Sequence, residues 1–454
     1  MPKRQLSLTN DRVSTTVLRF ALPFLAANVL QSLYGAIDLL IIGRYCESAS
    51  ISAVATGSQI MMTLQSLIIG VSTGSTVLLG QSIGEHDDEK AARSVGSSAV
   101  LFAMIAAIIT PLIAVFSMPI LRVMKIPAEA ETYAWHYLLI CACGIPFILG
   151  YNIISGVFRG IGDSKTPMIF VAISSCVNLI TDIILVGGLG MGAAGAALAT
   201  VFSQFISFAV SFIYIAVKGF PFEFHARHFR PSASAIGFIL KVGTPLAAQE
   251  MLVNCSFLII TAMVNVMGVV ASAAVGIVEK LLGVVMMPPM AFSSAVTTMT
   301  AQNIGAKKPE RALQSLKWGV SYSLIFGVAI WIVSTIAPQL LTGIFSREQA
   351  VIDMAATYLR PYSIDCMLIC VIFTMNAYFN GCGKSLISFA HSMVATFCVR
   401  IPLCRLSMKY CVDTLEPMGW CMPAASLVSL VICTVYFIWL RRKGLDRKTL
   451  RQDV

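Results

Sequence analysis

The chain is dominated by apolar runs of about twenty residues or more, separated by short polar segments. Each run is long enough to cross a hydrocarbon core of about 30 Å as an α-helix. Twelve such runs occur, near residues 17–42, 51–79, 95–118, 132–157, 167–188, 191–217, 237–264, 269–299, 313–338, 352–378, 386–409 and 419–440. The pattern therefore predicts an all-α integral membrane protein with twelve transmembrane helices.

Composition and charge agree with this class. Hydrophobic residues make up 57% of the chain and charged residues 12%, against about 25% charged residues in soluble domains. The net charge of +10 lies in short loops and tails, so we expect no nucleic-acid partner. Most basic residues fall on the side of the two termini, and the few on the opposite side are Arg44, Arg122, Lys125, Arg347 and Lys409. This positive-inside bias predicts a multi-pass protein of the plasma membrane with both termini in the cytoplasm.

The N-terminus and the cysteines suggest no processing and no resident metal. The chain is polar through Arg12, and no small-residue cleavage site follows the first apolar run, so the first helix is expected to be retained. The closest cysteine spacings, Cys141-x-Cys143 and Cys366-x3-Cys370, lack the second pair that a zinc site needs. The five histidines lie mostly in loops or at span ends. We therefore expect no cofactor and no metal other than a transported ion.

The chain resembles itself at a shift of 221 residues. The segment Gln81-Ser-Ile-Gly84 recurs as Gln302-Asn-Ile-Gly305, and Pro23 meets Pro245 after a one-residue slip. The repeated unit contains six spans, so both copies enter the membrane from the same side. This arrangement predicts two six-helix lobes related by a pseudo-two-fold axis along the membrane normal, which is typical of transporters.

The repeat also predicts where the lobes begin and end. The N-terminal lobe is expected over residues 1–217 and the C-terminal lobe over 237–454, ending in a basic cytoplasmic tail. Residues 218–236 are polar, aromatic and basic, and they are predicted to form a cytoplasmic linker.

The segment Asn178-Leu-Ile-Thr-Asp182 places an amide and a carboxylate one helical turn apart within an apolar span. An Asp at the centre of a membrane helix is unfavourable by roughly 2.5 to 3.5 kcal/mol, so it usually faces a partner or a wet cavity. Asp182 is therefore a candidate functional residue. Asp38 on the first span is a second candidate, and Tyr34 shares its helix face.

Several of these features together resemble a known family. Asp38 is followed by Ile-Gly-Arg at the end of the first span, Gln-x-x-Gly follows the second span, and Phe-Arg-Gly-Ile-Gly-Asp-Ser-Lys-Thr-Pro occupies 158–167. With the two-lobed repeat, these motifs resemble the multidrug and toxic compound extrusion (MATE) family, in its bacterial NorM/DinF-like branch. The resemblance implies a secondary-active exporter, not an enzyme, driven by Na⁺ or H⁺. It also implies that Asp38, Asn178, Asp182 and Thr200 bind the coupling ion.

The acids also support ion binding on physical grounds. Two carboxylates close together in a low-dielectric cavity cannot both stay charged without a cation or a proton. Asn and Thr add neutral oxygens, which suit Na⁺, while a proton needs only the acids. The sequence leaves both couplings open.

The second half lacks a copy of this site, because Asp182 aligns with Leu403. It has its own intramembrane charges, namely Glu250, Glu279, Asp365 and Arg400. Resemblance to NorM-like members implies that Glu250 and Asp365 belong to a substrate cavity, and we predict Tyr34, Glu279 and Arg400 as further cavity residues. An ion pair with Arg400 is the alternative role for the two acids.

The function expected from the sequence is export of amphipathic, cationic small molecules in exchange for Na⁺ or H⁺ by alternating access. The protein is expected to act as a monomer among membrane lipids. The nearest alternative is a lipid-linked oligosaccharide flippase of the same superfamily, although such proteins tend to have a basic cavity. An intramembrane enzyme is disfavoured because no zinc motif or active-site serine context occurs.

Overall fold

The computed structural model describes residues 7–124, 126–410 and 414–444. Basic residues of the predicted cytoplasmic termini, such as Lys3, Arg4, Arg447 and Lys448, lie outside the described residues, as does Lys125. Within the described ranges the chain is helical and contains no strand.

Twelve helices in the described ranges are long and apolar enough to cross a membrane, so the prediction of twelve helical spans is confirmed. We number them α1 to α12: Val13–Tyr45, Ser48–Gly84, Asp88–Val123, Ala128–Ile161, Lys165–Gly188, Gly192–Lys218, Ala233–Asn265, Val269–Gly305, Pro309–Ile336, Gln349–Gly381, Ser385–Tyr410 and Glu416–Arg442. A short helix, Pro338–Thr342, precedes α10, and a single 3₁₀ turn, Ala226–Phe229, precedes α7.

Two of the spans contain π-helical turns beside candidate residues. In α5 the α-helix ends at Asp182, and a π-helical segment continues over Ile183–Gly188. In α11 the π-helical segment Val394–Arg400 ends two residues before Pro402. Proline lacks a backbone donor and its ring clashes with the preceding turn, so a widened turn here relieves the clash. Single π-turns occur frequently at functional sites.

The described chain forms two compact units whose limits are not the ends of the predicted lobes. One unit contains residues 26–243, and the other contains residues 1–25 together with 244–454. We refer to them as the N-unit and the C-unit. The boundaries fall inside α1 and α7, close to Pro23 and Pro245. Each unit therefore includes half of a helix from the other sequence repeat.

The C-unit packs the first half of α1 into its core. Val17, Phe20 and Ala21 are buried against Phe292 and Met299 of α8. The segment leading into α1 is also held by polar residues within and just after the second Gln-x-x-Gly motif. Hydrogen bonds to the carbonyls of residues 8, 9 and 11 come from Asn303 Nδ2 at 3.2 Å, Lys308 Nζ at 3.1 Å and Arg311 Nη2 at 2.6 Å.

The N-unit likewise packs the first half of α7 into its core. Ile239 is buried against Leu78 of α2 and Leu101 of α3. The linker before α7 is held on α3, where the Ser232 amide donates to Ser97 Oγ at 3.1 Å and His228 Nε2 lies 3.1 Å from Glu89. Each repeat therefore holds the segment before the incoming half-helix with residues at or near the start of its third helix.

Glycines let α7 approach α2 closely, which gives a testable prediction. A Cβ on Gly243 would lie 2.6 Å from the Cα of Val71, so Gly243→Ala forces two backbones apart. We expect the variant to lose about 1 to 3 kcal/mol of stability, the usual cost of overpacking. The measurement is the thermal unfolding midpoint in detergent.

Gly237→Ala is the matched control for this prediction. It lies in the same half of α7, where a Cβ would meet nothing within 4 Å. Alanine favours a helix over glycine by about 1 kcal/mol, so this variant should keep or raise the midpoint. Equal midpoints for the two variants would contradict close packing of α7 on α2.

Candidate functional site

The candidate ion site of the N-unit is formed by α1 and α5. The carboxyl of Asp38 on α1 interacts with that of Asp182 on α5 through a direct side-chain contact. Asp182 is 1% exposed and Asn178, one turn earlier, is 2% exposed. The structure thus brings Asp38 and Asp182 together from helices that are far apart in the sequence.

The polar atoms of this site are poorly satisfied within the described part of the chain. Both carboxylate oxygens of Asp182, Oδ1 of Asp38 and Nδ2 of Asn178 are buried and accept or donate no hydrogen bond there. Two carboxylates in contact repel each other, and a hydrogen bond between them requires a proton on one of them. Among the described residues, neither acid forms an ion pair with a basic side chain. The site is therefore suited to hold a proton or a small cation.

Thr200 and Tyr34 lie together at a small cavity beside this pair. The cavity has a volume of about 60 Å³, enough to hold several water molecules. Its wall includes Tyr34, Thr200, Gln65, Gln204 and Tyr137. Tyr34 is one turn from Asp38 and interacts electrostatically with both acids. No contact between Thr200 and either carboxylate is described, so its role as an ion ligand stays a prediction.

Three polar residues of this cavity were not among the sequence candidates. Gln65 lies on α2, Gln204 on α6, and Tyr137 on α4 contacts Ser58 Oγ at 3.0 Å through its hydroxyl. A signal was present in the sequence, because Gln204 follows Thr200 by one helical turn within an apolar span. An uncharged amide within an apolar span, like Gln65 or Gln204, is therefore a signal of a polar cavity.

The C-unit brings together three of its four predicted charges. Asp365 and Arg400 are buried and interact electrostatically, and Glu279 acts on the same neighbouring tyrosine, Tyr362. Glu279 accepts a hydrogen bond from Thr261 at 3.3 Å. Glu250 on α7 is exposed, and no contact with the other three is described.

Asp365 and Arg400 do not form a direct ion pair in the described chain, since no nitrogen of Arg400 lies within 4.0 Å of a carboxylate oxygen. Arg400 Nε and Nη1 and both oxygens of Asp365 are buried without a hydrogen-bond partner there. The guanidinium carbon of Arg400 lies 5.3 Å from the ring centroid of Phe257, a cation–π contact. The predicted alternative of a direct ion pair is therefore not what the geometry gives.

A buried histidine was missed by reading the histidines as loop or span-end residues. His391 lies inside α11 and is 1% exposed. Its Nδ1 lies 2.5 Å from Ser429 Oγ and its Nε2 lies 2.7 Å from Asn376 Oδ1. Within the described residues, no group of three His, Cys, Asp or Glu side chains could hold a metal ion.

Comparison with known proteins gives a consistent result over the whole chain. A family profile described as MatE matches residues 23–184 and 245–406. The probable multidrug resistance protein YoeA of Bacillus subtilis is 27% identical over 435 residues, which cover 93% of this chain and 94% of that protein. The probable multidrug resistance protein NorM of Thermotoga maritima is 26% identical over 418 residues, covering 90% and 88%. The crystal structure of a MATE protein in the straight conformation has a similar fold, with a TM-score of 0.90 at 20% identity, covering 99% of this chain and 100% of that one.

Proposed function

This chain belongs to the MATE family of multidrug efflux transporters, and from that premise we propose that it exports amphipathic cations in exchange for Na⁺ or H⁺. Proteins of this family are multi-pass membrane transporters of small molecules and not enzymes. We further propose that this one acts as a monomer in the plasma membrane with both termini in the cytoplasm. The positive-inside bias of the loops supports that orientation.

The observation that carries the proposal is the contact between Asp38 and Asp182. Their carboxyls meet in a buried place where no described basic side chain pairs with them. Buried acids of membrane proteins usually serve ion or proton pathways. Because two adjacent carboxylates favour binding of a cation or a proton, the site can couple the free energy of an ion gradient to transport.

The neutral groups beside the two acids add possible ligands for a metal cation. Asn178 lies one turn from Asp182, and Thr200 lines the adjacent cavity. Their oxygens supplement two carboxylates as ligands for a hard cation, whereas a proton needs the acids alone. The donor set therefore supports either coupling, and a transport measurement separates them.

The mechanism follows from differential affinity. An ion that binds Asp38 and Asp182 more tightly in one facing state shifts the population toward that state. A drug that prefers the other state shifts it back, and the two ligands exclude each other through the equilibrium and not through shared contacts. The ion gradient drives transport only to the extent that the ion and the drug differ in affinity between the two states.

The test is uptake and release of a fluorescent organic cation in vesicles that contain the purified protein. We expect efflux when a Na⁺ gradient, a H⁺ gradient or both are imposed, and no efflux against a concentration difference without a gradient. Thr200→Val should reduce efflux driven by Na⁺ more than efflux driven by H⁺, because it removes only a neutral oxygen ligand. Absence of gradient-driven efflux for a series of amphipathic cations would refute the proposed function.

A further inference from the structure

Polar side chains form a buried path through the C-unit, from the cytoplasmic end of α10 and α11 towards Asp365. Its members are Asn380, Ser388, Asn376, His391, Ser429 and Ser426, and each is less than a tenth exposed. They come from α10, α11 and α12. Buried polar residues in membrane spans are costly and usually mark a functional pathway.

Some neighbours along the path are joined by direct hydrogen bonds, and others are one helical turn apart. Ser388 Oγ donates to Asn380 Oδ1 at 3.2 Å. His391 bridges Asn376 at 2.7 Å and Ser429 at 2.5 Å. Ser426 lies beside Asp365 and interacts with its carboxyl, although no direct hydrogen bond joins them in the described chain. The Asn380-to-Asn376 and Ser429-to-Ser426 steps each span one helical turn, about 5 to 6 Å between Cβ atoms, a distance that one bridging water covers.

The hydrogen bonds of His391 indicate which of its ring nitrogens carries a proton. Because Asn376 Oδ1 can only accept, Nε2 carries a proton and donates it, and in the neutral ring Nδ1 then accepts from the Ser429 hydroxyl. Both direct partners of the ring are neutral, so neither stabilises a charged imidazolium. At the other end of the path, the charged or titratable groups that act on Asp365 and its neighbour Tyr362 are Arg400, Glu279 and Cys366.

We propose that His391 relays protons between Asp365 and the cytoplasmic end of the C-unit. This proposal rests on the antiport function and adds a proton branch separate from the Asp38 and Asp182 site. A proton released by the Asp365 carboxyl passes to the Ser426 and Ser429 hydroxyls, each of which gives up the proton it held. Nδ1 of His391 takes the last one, and the proton on Nε2 is released to the water that bridges the one-turn step from Asn376 to Asn380. The starting tautomer is restored when the ring proton transfers from Nδ1 to Nε2, and Arg400 offsets the charge left on Asp365.

The roles along the path differ. Asn376 is a positioning residue, because its amide cannot easily release a proton and instead fixes which nitrogen of His391 is protonated. The serine hydroxyls can both donate and accept, which a relay requires. The length of the path can be read from α10. Asp365 lies fifteen residues before Asn380 on this helix, which corresponds to about 22 Å at the α-helical rise.

The test uses His391→Gln in proteoliposomes with a pH-sensitive dye inside and a fluorescent cation as the exported probe. Glutamine can still donate to Asn376 but cannot carry a proton through. We expect proton influx coupled to efflux to fall about a hundredfold or more, the range for loss of a proton-transfer group, with unchanged affinity for the probe and an unchanged unfolding midpoint. Ser429→Ala should act in the same direction, and the double variant should be no worse than the more severe single one.

His136→Gln is the matched control, because His136 is exposed on α4, and it should leave proton influx unchanged. Normal proton-coupled efflux by His391→Gln would overturn the relay. A lowered unfolding midpoint, with equal losses under Na⁺ and H⁺ gradients, would show that His391 only clamps three helices together. Efflux that is driven by Na⁺ alone in the wild type would overturn the relay and leave the antiport function intact, whereas absence of efflux under both gradients would refute that function itself.

Discussion

Asp182→Asn is expected to lose ion-driven efflux while becoming at least as stable as the wild type. The substitution keeps the shape of the side chain and removes a buried carboxylate whose two oxygens accept no hydrogen bond within the described chain. An interaction with a charged group contributes about 1.5 to 3 kcal/mol, so ion binding should weaken roughly 10- to 100-fold. The fold loses only a repulsion with Asp38, so the unfolding midpoint should stay or rise. Efflux under an imposed gradient and thermal unfolding are measured on the same preparation.

The comparison variants make this result specific. Asp38→Asn should have the same effect, and the double variant should be no worse, because both acids serve one site. Asp353→Asn changes an exposed acid on α10, which accepts from Gln349 at 3.0 Å, and should leave efflux unchanged. Undiminished gradient-driven efflux in both single variants of the site would remove it from the mechanism.

Arg400→Met is expected to destabilise the protein strongly, because it leaves Asp365 buried without a compensating charge. Removing one member of a buried pair costs about 3 to 5 kcal/mol. We expect the lower value, since no nitrogen of Arg400 lies within 4.0 Å of an acid in the described chain. The loss should be smaller at low pH, where Asp365 can take up a proton and become neutral. Thermal midpoints at about pH 5 and pH 8 measure the difference.

A second substitution separates charge from packing in this prediction. Adding Asp365→Asn to Arg400→Met removes the uncompensated charge, so the double variant should recover most of the lost stability and its pH dependence. A double variant as unstable as Arg400→Met would show that Arg400 acts through its cation–π contact with Phe257, which lies 5.3 Å away. Arg405→Met, at an exposed position one helical turn further along α11, is the control.

The twelve spans could be predicted because membrane thickness fixes the length of an apolar helix, and length is visible in the sequence. Asp182 could be selected because a buried charge in such a helix is costly. Its contact with Asp38 depended on the family resemblance, since spacing within one helix says nothing about which other helix packs against it. The π-turn after Asp182 left no pattern in the sequence that distinguishes it from an ordinary α-helix.

Other features escaped because a single side chain does not reveal its surroundings. His391 was read with the loop histidines, whereas its two partners come from α10 and α12 and are visible only after folding. The limits of the compact units were hidden for a similar reason. Pro23 and Pro245 were matched as repeat landmarks, but nothing local to them shows that the residues before each one pack into a different core from the residues after it.

That exchange of half-helices determines how the protein can be divided. A cut in the linker at residues 218–236 would give fragments that match the two sequence repeats but not the two compact units. Residues 233–243 complete the core of the N-unit, and residues 13–25 complete that of the C-unit. We expect neither fragment to fold by itself, because each lacks a half-helix of its core. Fragments produced separately should recover their cores, and transport, only when both are present, so a split version of this transporter is expected to work by complementation.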